Sequence, residues 1–318
     1  MSNALTTKTP LATRQFNLID QWHRHLDVLV ASEEVSSDTA SAYKYSVKLF
    51  QDWWSVKGGS VQSLEENTVQ SWVASMRGKG LSVSTRRVRL AGLRSLCSWL
   101  KLKGHIATDP TAGVKAGKQA RVKRHKRPSL NLAESKKLLS LSSLTKRDRA
   151  MVWLFLFTAA RSVELWRAKI EDLQEEDGEL VLYVHGKGRT ESEKEPLYLA
   201  NPNAQKVLRE YLAELKERGC FTGSLFVTEQ KFDGKPRAIS RRTLRHIMKS
   251  ALRAAFGEST AVSTHGLRHT AALNALANGA DLQDVQGMLR HSDINTTMIY
   301  VKETERRAKA AERKISYA

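Results

Sequence analysis

The stretches THGLRHT at residues 264–270 and MLRHSDINTTMIYV at residues 288–301 carry the most informative pattern of this chain. The first places His265 and Arg268 three positions apart, a spacing that puts both side chains on one face of a helix. The second places His291 nine positions before Tyr300. Together they offer a guanidinium that can bind an anion, imidazoles that can move a proton and a phenol that can act as a nucleophile.

Two upstream segments add further groups to this pattern. TAARSVEL at residues 158–165 places Arg161 at a predicted helix start after a buried apolar run, with Glu164 one turn later. Farther along, the strand-like runs 180–184 and 196–199 flank the polar turn HGKGRTESEK. They predict a β-hairpin that presents Lys187.

The order of these groups resembles the active-site pattern of the tyrosine recombinase, or phage integrase, family, which includes Xer-like and Cre-like site-specific recombinases. The residues that carry the resemblance are Arg161, Lys187, His265, Arg268, His291 and Tyr300. It extends over nearly the whole chain, from about residue 14 to the tail. Two positions depart from the pattern: Ala159-Ala160 replaces a small-residue turn that usually contains glycine, and Arg290 stands where glycine usually precedes the histidine. Neither departure removes a reacting group.

The resemblance implies a mainly α chain of two domains, consistent with 318 residues. We expect a disordered N-terminus at 1–14 and a four-helix, SAM-like core-binding domain at 15–110. A basic linker at 111–128 leads to an α-rich catalytic domain with a small antiparallel β-sheet at 129–301. The residues 302–318 are expected to form a tail helix that contacts a neighbouring subunit.

The chemistry of DNA cleavage explains why these cationic groups would be needed. A phosphodiester is anionic, and attack on it builds further negative charge in a five-coordinate transition state. Arg161 and Arg268 are expected to clamp the two non-bridging oxygens through planar guanidinium groups. His291 would donate to the same oxygens.

The remaining groups are expected to move protons and to attack. Tyrosine ionises near pH 10, so Tyr300 needs a base as it attacks, and His265 is the candidate. Lys187 is the candidate acid that protonates the leaving 5′ oxygen. Glu164 is expected to orient Arg161 or His265 through a hydrogen bond.

The net charge of +19 is typical of a nucleic-acid binder, although a basic protein kept soluble by its charge is the alternative. Residues 1–128 hold 21 basic and 9 acidic side chains, or +12, which leaves 31 and 24, or +7, for the rest. Three basic segments are candidate DNA contacts: the helix at about 84–102, the linker and the helix at about 240–256. A solvated helix face and, for the linker, a nuclear-targeting or nonspecific basic patch are the competing interpretations. The candidate residues are Arg86, Arg87, Arg89, Arg94, Lys123, Arg124, Lys126, Arg127, Arg242, Arg245 and Lys249.

No cofactor and no metal ion are expected. His265 and His269 lie four positions apart and could suggest a metal site, but there is no HExxH, acidic cluster or paired cysteine motif, and no GxxxxGK[ST] sequence for a nucleotide. Cys97 and Cys220 are too few for a disulfide framework and fit a reducing cytoplasm. The longest apolar run, 151–157, is far shorter than the roughly 20 residues that span a bilayer.

These expectations define a cytoplasmic recombinase that cleaves and rejoins DNA through a covalent 3′-phosphotyrosyl intermediate and exchanges strands through a Holliday junction. Its partners would be double-stranded DNA with an inverted-repeat core site and three further copies of itself, a homotetramer on two paired sites, with a monomer or dimer off DNA. The short N-terminal segment favours an Xer-like or Cre-like enzyme over a large integrase with an arm-binding domain. A type IB topoisomerase and a non-catalytic DNA-binding accessory protein are the alternatives.

Overall fold

A computed structural model describes residues 11–56, 64–118, 128–186 and 193–290 of the chain. Internal contacts divide the chain into two compact units, residues 1–122 and residues 123–318. Each unit has its own hydrophobic core, and both are mainly helical, as the sequence predicts. Within the described ranges, no helix is both long and apolar enough to cross a membrane.

In its described part, the first unit is a bundle of four helices, which confirms the prediction for this region. Their bounds are α1 Leu11–Ala31, α2 Ser37–Ser55, α3 Glu66–Gly78 and α4 Val83–Leu102. Aromatic side chains fill the centre, where Phe50 meets Trp72 edge to face with 5.1 Å between ring centroids. Gly92 lets helices α2 and α4 pack closely: a Cβ added at Gly92 would lie only 2.7 Å from the Cβ of Ser46.

One prediction about a helix start in this unit is wrong. Residues 11–14 were expected to be disordered, but α1 already begins at Leu11. Leucine, alanine and arginine, which are among residues 11–14, favour helix. The helix therefore begins before the residues in which apolar side chains recur at helical spacing.

The second unit combines helices with two small antiparallel sheets. The helices are α5 Leu132–Leu139, α6 Lys146–Thr158, α7 Ser162–Arg167, α8 Pro202–Glu217, α9 Arg241–Phe256, α10 Thr264–Ala277 and α11 Leu282–Leu289. The strands are β1 Leu173–Glu176, β2 Glu179–Val184, β3 Glu195–Leu199, β4 Val227–Phe232 and β5 Lys235–Ala238. Strand β2 lies between β1 and β3, and β4 pairs with β5.

The buried helix α6 organises the second unit. Met151, Val152 and Phe155 are fully enclosed, and α8, α9 and α10 all contact this helix. The predicted hairpin is present as β2 and β3, with Leu182 opposite Leu197. Sequence analysis missed β1 and the β4–β5 pair because their polar residues show little alternation of apolar and polar positions.

Candidate active site

The turn between α6 and α7 presents the first predicted site residue. Helix α6 ends at Ala159, which adopts a left-handed conformation with φ of 51°. Arg161 is then the N-cap of α7, as the sequence predicted, with an extended backbone. The carboxylate of Glu164 reaches back and accepts the backbone N–H of Arg161 at 2.6 Å, the reciprocal half of a capping box. The backbone of Arg161 is therefore fixed by Glu164.

The carboxylate of Glu164 is fully buried between two guanidinium groups. Its Oε1 accepts from Nη1 of Arg161 at 2.6 Å, and its Oε2 accepts from Nη2 of Arg290 at 2.7 Å. Burial by itself would raise the pKa of Glu164. The charge and hydrogen bonds of Arg290, the backbone N–H of Arg161 and the charge of Arg161 outweigh burial and hold this pKa below its ordinary value. Glu164 is therefore a permanent anion at neutral pH.

The C-terminal end of α11 brings the two predicted phosphate-binding arginines together. Arg161 Nη2 donates to the carbonyl oxygens of Leu289 at 3.1 Å and Arg290 at 3.0 Å. Arg268 also donates to the Leu289 carbonyl, and its Nη1 donates to Ala159 at 2.6 Å. The last carbonyls of a helix lack partners within the helix and carry partial negative charge, so cationic donors are favourable there. Residues far apart in sequence thus meet at one carbonyl.

The two arginines differ in their access to solvent. The side chain of Arg161 is 27% exposed, whereas Arg268 is only 1% exposed as a residue. Arg161 is thus both held by Glu164 and open on one side.

The first turn of α10 places His265 beside this cluster. Thr264, its neighbour in sequence, shares a hydrogen bond of 3.1 Å with Ser162, which follows Arg161. His265 is exposed, and its ring lies perpendicular to that of His269 with 5.8 Å between centroids. Among the described residues, no group of three or more histidine, cysteine or acidic side chains is arranged to hold a metal ion.

The end of strand β2 also reaches the site. A Cβ added at Gly186 would lie 3.9 Å from both Nη1 of Arg161 and Oε1 of Glu164. Lys187 follows Gly186 directly in sequence. Lys187, His291 and Tyr300 themselves lie outside the described residues, and their roles stay predictions.

Where the predicted DNA contacts can be described, they fall into two groups. Arg86 is buried, and a Cβ added at Gly117 would lie 3.3 Å from its Nη1; Arg94 donates to the carbonyl of Val114. These two arginines thus hold the first part of the predicted linker. Val114 and Ala116 are buried in the core of the first unit, so the prediction of a linker from residue 111 onward is wrong for the described residues up to 118. Arg94 is nevertheless exposed, and it remains a candidate DNA contact with the other exposed or half-exposed residues: Arg87 and Arg89 on α4, and Arg242, Arg245 and Lys249 on α9. Lys123, Arg124, Lys126 and Arg127 lie outside the described residues.

The far end of the linker packs on the helix that carries His265 and Arg268. The backbone N–H of Leu130 donates to Thr270 Oγ1 at 2.9 Å. Gly266 allows a close approach of the Pro128 carbonyl, because a Cβ added at Gly266 would lie only 2.5 Å from the Pro128 oxygen. The position of α10 is therefore tied to the chain that enters the second unit. No motif in the sequence signalled this contact.

Comparison with known proteins gives concordant matches. The family model described as "Phage integrase family" matches residues 128–307, and the model described as "Phage integrase, N-terminal SAM-like domain" matches residues 19–104. A tyrosine recombinase XerD of Listeria monocytogenes serotype 4b is 30% identical over 293 residues, which cover 89% of this chain and 94% of the relative. A tyrosine recombinase XerC of Xanthomonas campestris pv. campestris is 31% identical over 306 residues, which cover 94% of this chain and 88% of the relative.

Solved structures share the fold at lower identity. The XerH site-specific recombinase bound to a palindromic difH substrate, in a post-cleavage complex, superposes with a TM-score of 0.70 at 21% identity and covers 98% of this chain and 90% of that one. A lambda integrase dimer bound to a COC′ core site gives a TM-score of 0.64 at 18% identity, covering 88% of this chain and 96% of that one.

Proposed function

The chain belongs to the phage integrase family of tyrosine recombinases, enzymes of site-specific DNA recombination, and we propose that Tyr300 is the nucleophile of its reaction. The phenolic oxygen of Tyr300 attacks the phosphorus of a DNA phosphodiester, and the bond from phosphorus to the 5′ oxygen breaks. A 3′-phosphotyrosyl link and a free 5′ hydroxyl result. Attack by that hydroxyl on the link reverses the step, so the bond energy is kept and no nucleotide is consumed.

Two proton transfers accompany this exchange. His265 takes the proton of Tyr300, because a phenol that ionises near pH 10 is a poor nucleophile at neutral pH. Lys187 gives a proton to the departing 5′ oxygen. The exposure of His265 and the position of Gly186, the residue before Lys187, beside Arg161 support these assignments.

The charge of the transition state is met by Arg161, Arg268 and His291. One observation carries this part of the proposal: Arg161 and Arg268 donate to the same carbonyl of Leu289, two positions before His291 in sequence. Two separate segments therefore bring guanidinium groups to one carbonyl of a third segment, in a partly buried environment. Preorganised cationic donors in such an environment stabilise a developing oxyanion more strongly than donors in water.

We further propose that the active form is a homotetramer on two paired inverted-repeat sites, with exchange through a Holliday junction. Related proteins whose structures are described as a dimer on a core site and as a complex with a palindromic substrate support the DNA partner. In this arrangement the basic residues 119–127 of the linker run along the DNA, and the tail 302–318 contacts the neighbouring subunit.

Replacement of Tyr300 by Phe tests the nucleophile, since only the attacking oxygen is lost. The substrate is a nicked duplex that carries the binding site and releases a short strand on cleavage, so that a covalent adduct accumulates. The unchanged protein and a matched control, Tyr317→Phe, should form an SDS-resistant adduct, and Tyr300→Phe should form none while its affinity for the half-site stays within about twofold. An adduct with Tyr300→Phe would show that another residue is the nucleophile.

A further inference from the structure

Arg290 has an unusual backbone for its residue type. It ends α11 in the left-handed conformation, with φ and ψ both 49°. Side chains with a Cβ adopt this conformation at a cost in free energy, which is why glycine is favoured at such helix ends. The pattern that this chain resembles usually has glycine here. An arginine at this position must therefore gain something from its side chain.

The side chain of Arg290 is turned inward and grips Glu164. It is only 5% exposed, its Nη2 donates to Oε2 of Glu164 at 2.7 Å, and its Nε lies 3.4 Å from Oε1. Its Nη1 donates to the carbonyl of Met288 at 2.7 Å, which fixes the guanidinium plane. Each oxygen of Glu164 therefore has one donor from Arg290 and one from Arg161.

We propose that Arg290 is a positioning residue of the active site, which holds Glu164 charged and oriented so that Glu164 can hold Arg161 against the DNA phosphate. The inference rests on the proposed function, in which Arg161 binds the phosphate. Arg290 acts only through Glu164. Without it, Arg161 would be the one ion-pair partner left to the buried carboxylate among the described residues, and Glu164 would no longer be held from two sides.

This coupling predicts a specific pH dependence. Two described charged groups contact Glu164: Arg161 on its own turn and Arg290 at the end of α11. Arg268 is linked to them through the shared Leu289 carbonyl. Gly186, just after β2, also lies beside Glu164. In the unchanged protein the pKa of Glu164 is depressed, so its contribution to stability is present above its unfolded pKa and is lost only as the pH falls through the folded value. When Arg290 is removed, burial still raises this pKa while the largest opposing charge is gone. As the pH is lowered, the variant without Arg290 should therefore lose stability and cleavage activity at a higher pH than the unchanged protein does.

The experiment combines thermal unfolding against pH with single-turnover cleavage of the nicked duplex against pH. Arg290→Gly suits the left-handed backbone and removes the guanidinium, whereas Arg290→Lys keeps the charge. We expect Arg290→Gly to cleave about 10- to 100-fold more slowly near pH 6, the scale of a small misplacement in a catalytic site, and to recover in part toward pH 8. Its acid limb of Tm should move to higher pH, and Arg290→Lys should restore part of both effects.

A double-mutant cycle with Glu164→Gln separates positioning from simple packing. If Arg290 acts through Glu164, then Arg290→Gly should add little to the defect of Glu164→Gln, and in the glutamine background it should no longer shift the acid limb of Tm or of cleavage. Arg147→Met is the matched control. Arg147 is equally buried, pairs with Asp148 and donates to the Val227 carbonyl, so its loss should lower Tm without moving the pH profile of cleavage.

Two outcomes would overturn the inference. One is an Arg290→Gly protein whose Tm and cleavage profiles follow those of the unchanged protein, or which becomes more stable and equally active because backbone strain is relieved. The other is independent, multiplying effects of the Arg290 and Glu164 substitutions. The decrease of Tm at acid pH tests the action of Arg290 on Glu164 and needs no DNA cleavage. Adduct formation by the unchanged protein tests the proposed function separately.

Discussion

Replacement of Gly266 by Ala should weaken the second unit, because the added Cβ has no room. It would lie 2.5 Å from the carbonyl oxygen of Pro128 and 3.2 Å from Cγ1 of Val262. The nearer atom belongs to the backbone, so it cannot swing away as the end of a flexible side chain could. Overpacking of this kind costs about 1–3 kcal/mol, and the removal of a helical glycine returns about 0.5–1 kcal/mol.

The net loss is therefore about 0–2.5 kcal/mol, which lowers Tm by up to about 10 °C for a unit of this size. Gly287→Ala in α11 is the matched control. That glycine is also helical, but it is exposed and nothing lies within 4 Å of an added Cβ. The control should gain about 0.5–1 kcal/mol, because the unfolded chain becomes less flexible.

The two variants should be compared by thermal and urea unfolding, with the transition of the second unit assigned separately. Because Gly266 lies beside His265 on α10, a shift of the helix should also slow single-turnover cleavage, by up to about 100-fold. The packing argument would be refuted if Gly266→Ala raised Tm by as much as Gly287→Ala.

Three further predictions concern segments that the sequence singled out. Lys187→Ala should slow cleavage strongly with a normal 5′ oxygen leaving group and much less with a 5′ bridging phosphorothiolate, which needs little protonation; equal losses on both substrates would remove Lys187 from the acid role. Neutralisation of the four linker candidates within 123–127 should weaken binding to all sequences alike and reduce the salt slope by about 3–4 units, whereas an altered site preference in gel-shift titrations would mean that the linker reads bases. Truncation after Thr304 should leave half-site binding almost unchanged but lower cooperative occupancy of the full site and the yield of recombinants, and undiminished cooperativity would make the tail dispensable.

Sequence patterns were sufficient for the helices because amphipathic periodicity and capping are local. Helix α9 shows this directly: Leu244, Ile247 and Met248, at three- and four-residue steps, are buried, while Arg242 and Arg245 are exposed. The capping box at Asn131 is present with both of its hydrogen bonds. Strand β1 was missed because its sequence LQEE carries no local signal, and its strand conformation depends on pairing with β2.

The candidate site divides in the same way. The order of reacting groups and the capping relation of Glu164 to Arg161 are readable from the sequence, because they depend on residue type and on spacing within one turn. The sequence could not show that Arg86 and Arg94 hold the first part of the predicted linker, since an arginine stripe has the same pattern whether it faces DNA or a neighbouring carbonyl.

By itself, the sequence determined the family, the two-domain helical architecture and the candidate reacting groups, because these follow from residue identity, order and short-range periodicity. Only the tertiary structure decided that Arg161 and Arg268 meet at the Leu289 carbonyl, and that Arg290, at first only a departure from a glycine pattern, shares the carboxylate of Glu164. The physical reason is distance along the chain. Contacts between residues more than one hundred positions apart are set by how α6, α10 and α11 pack, and no local pattern encodes which buried charge will face which carbonyl.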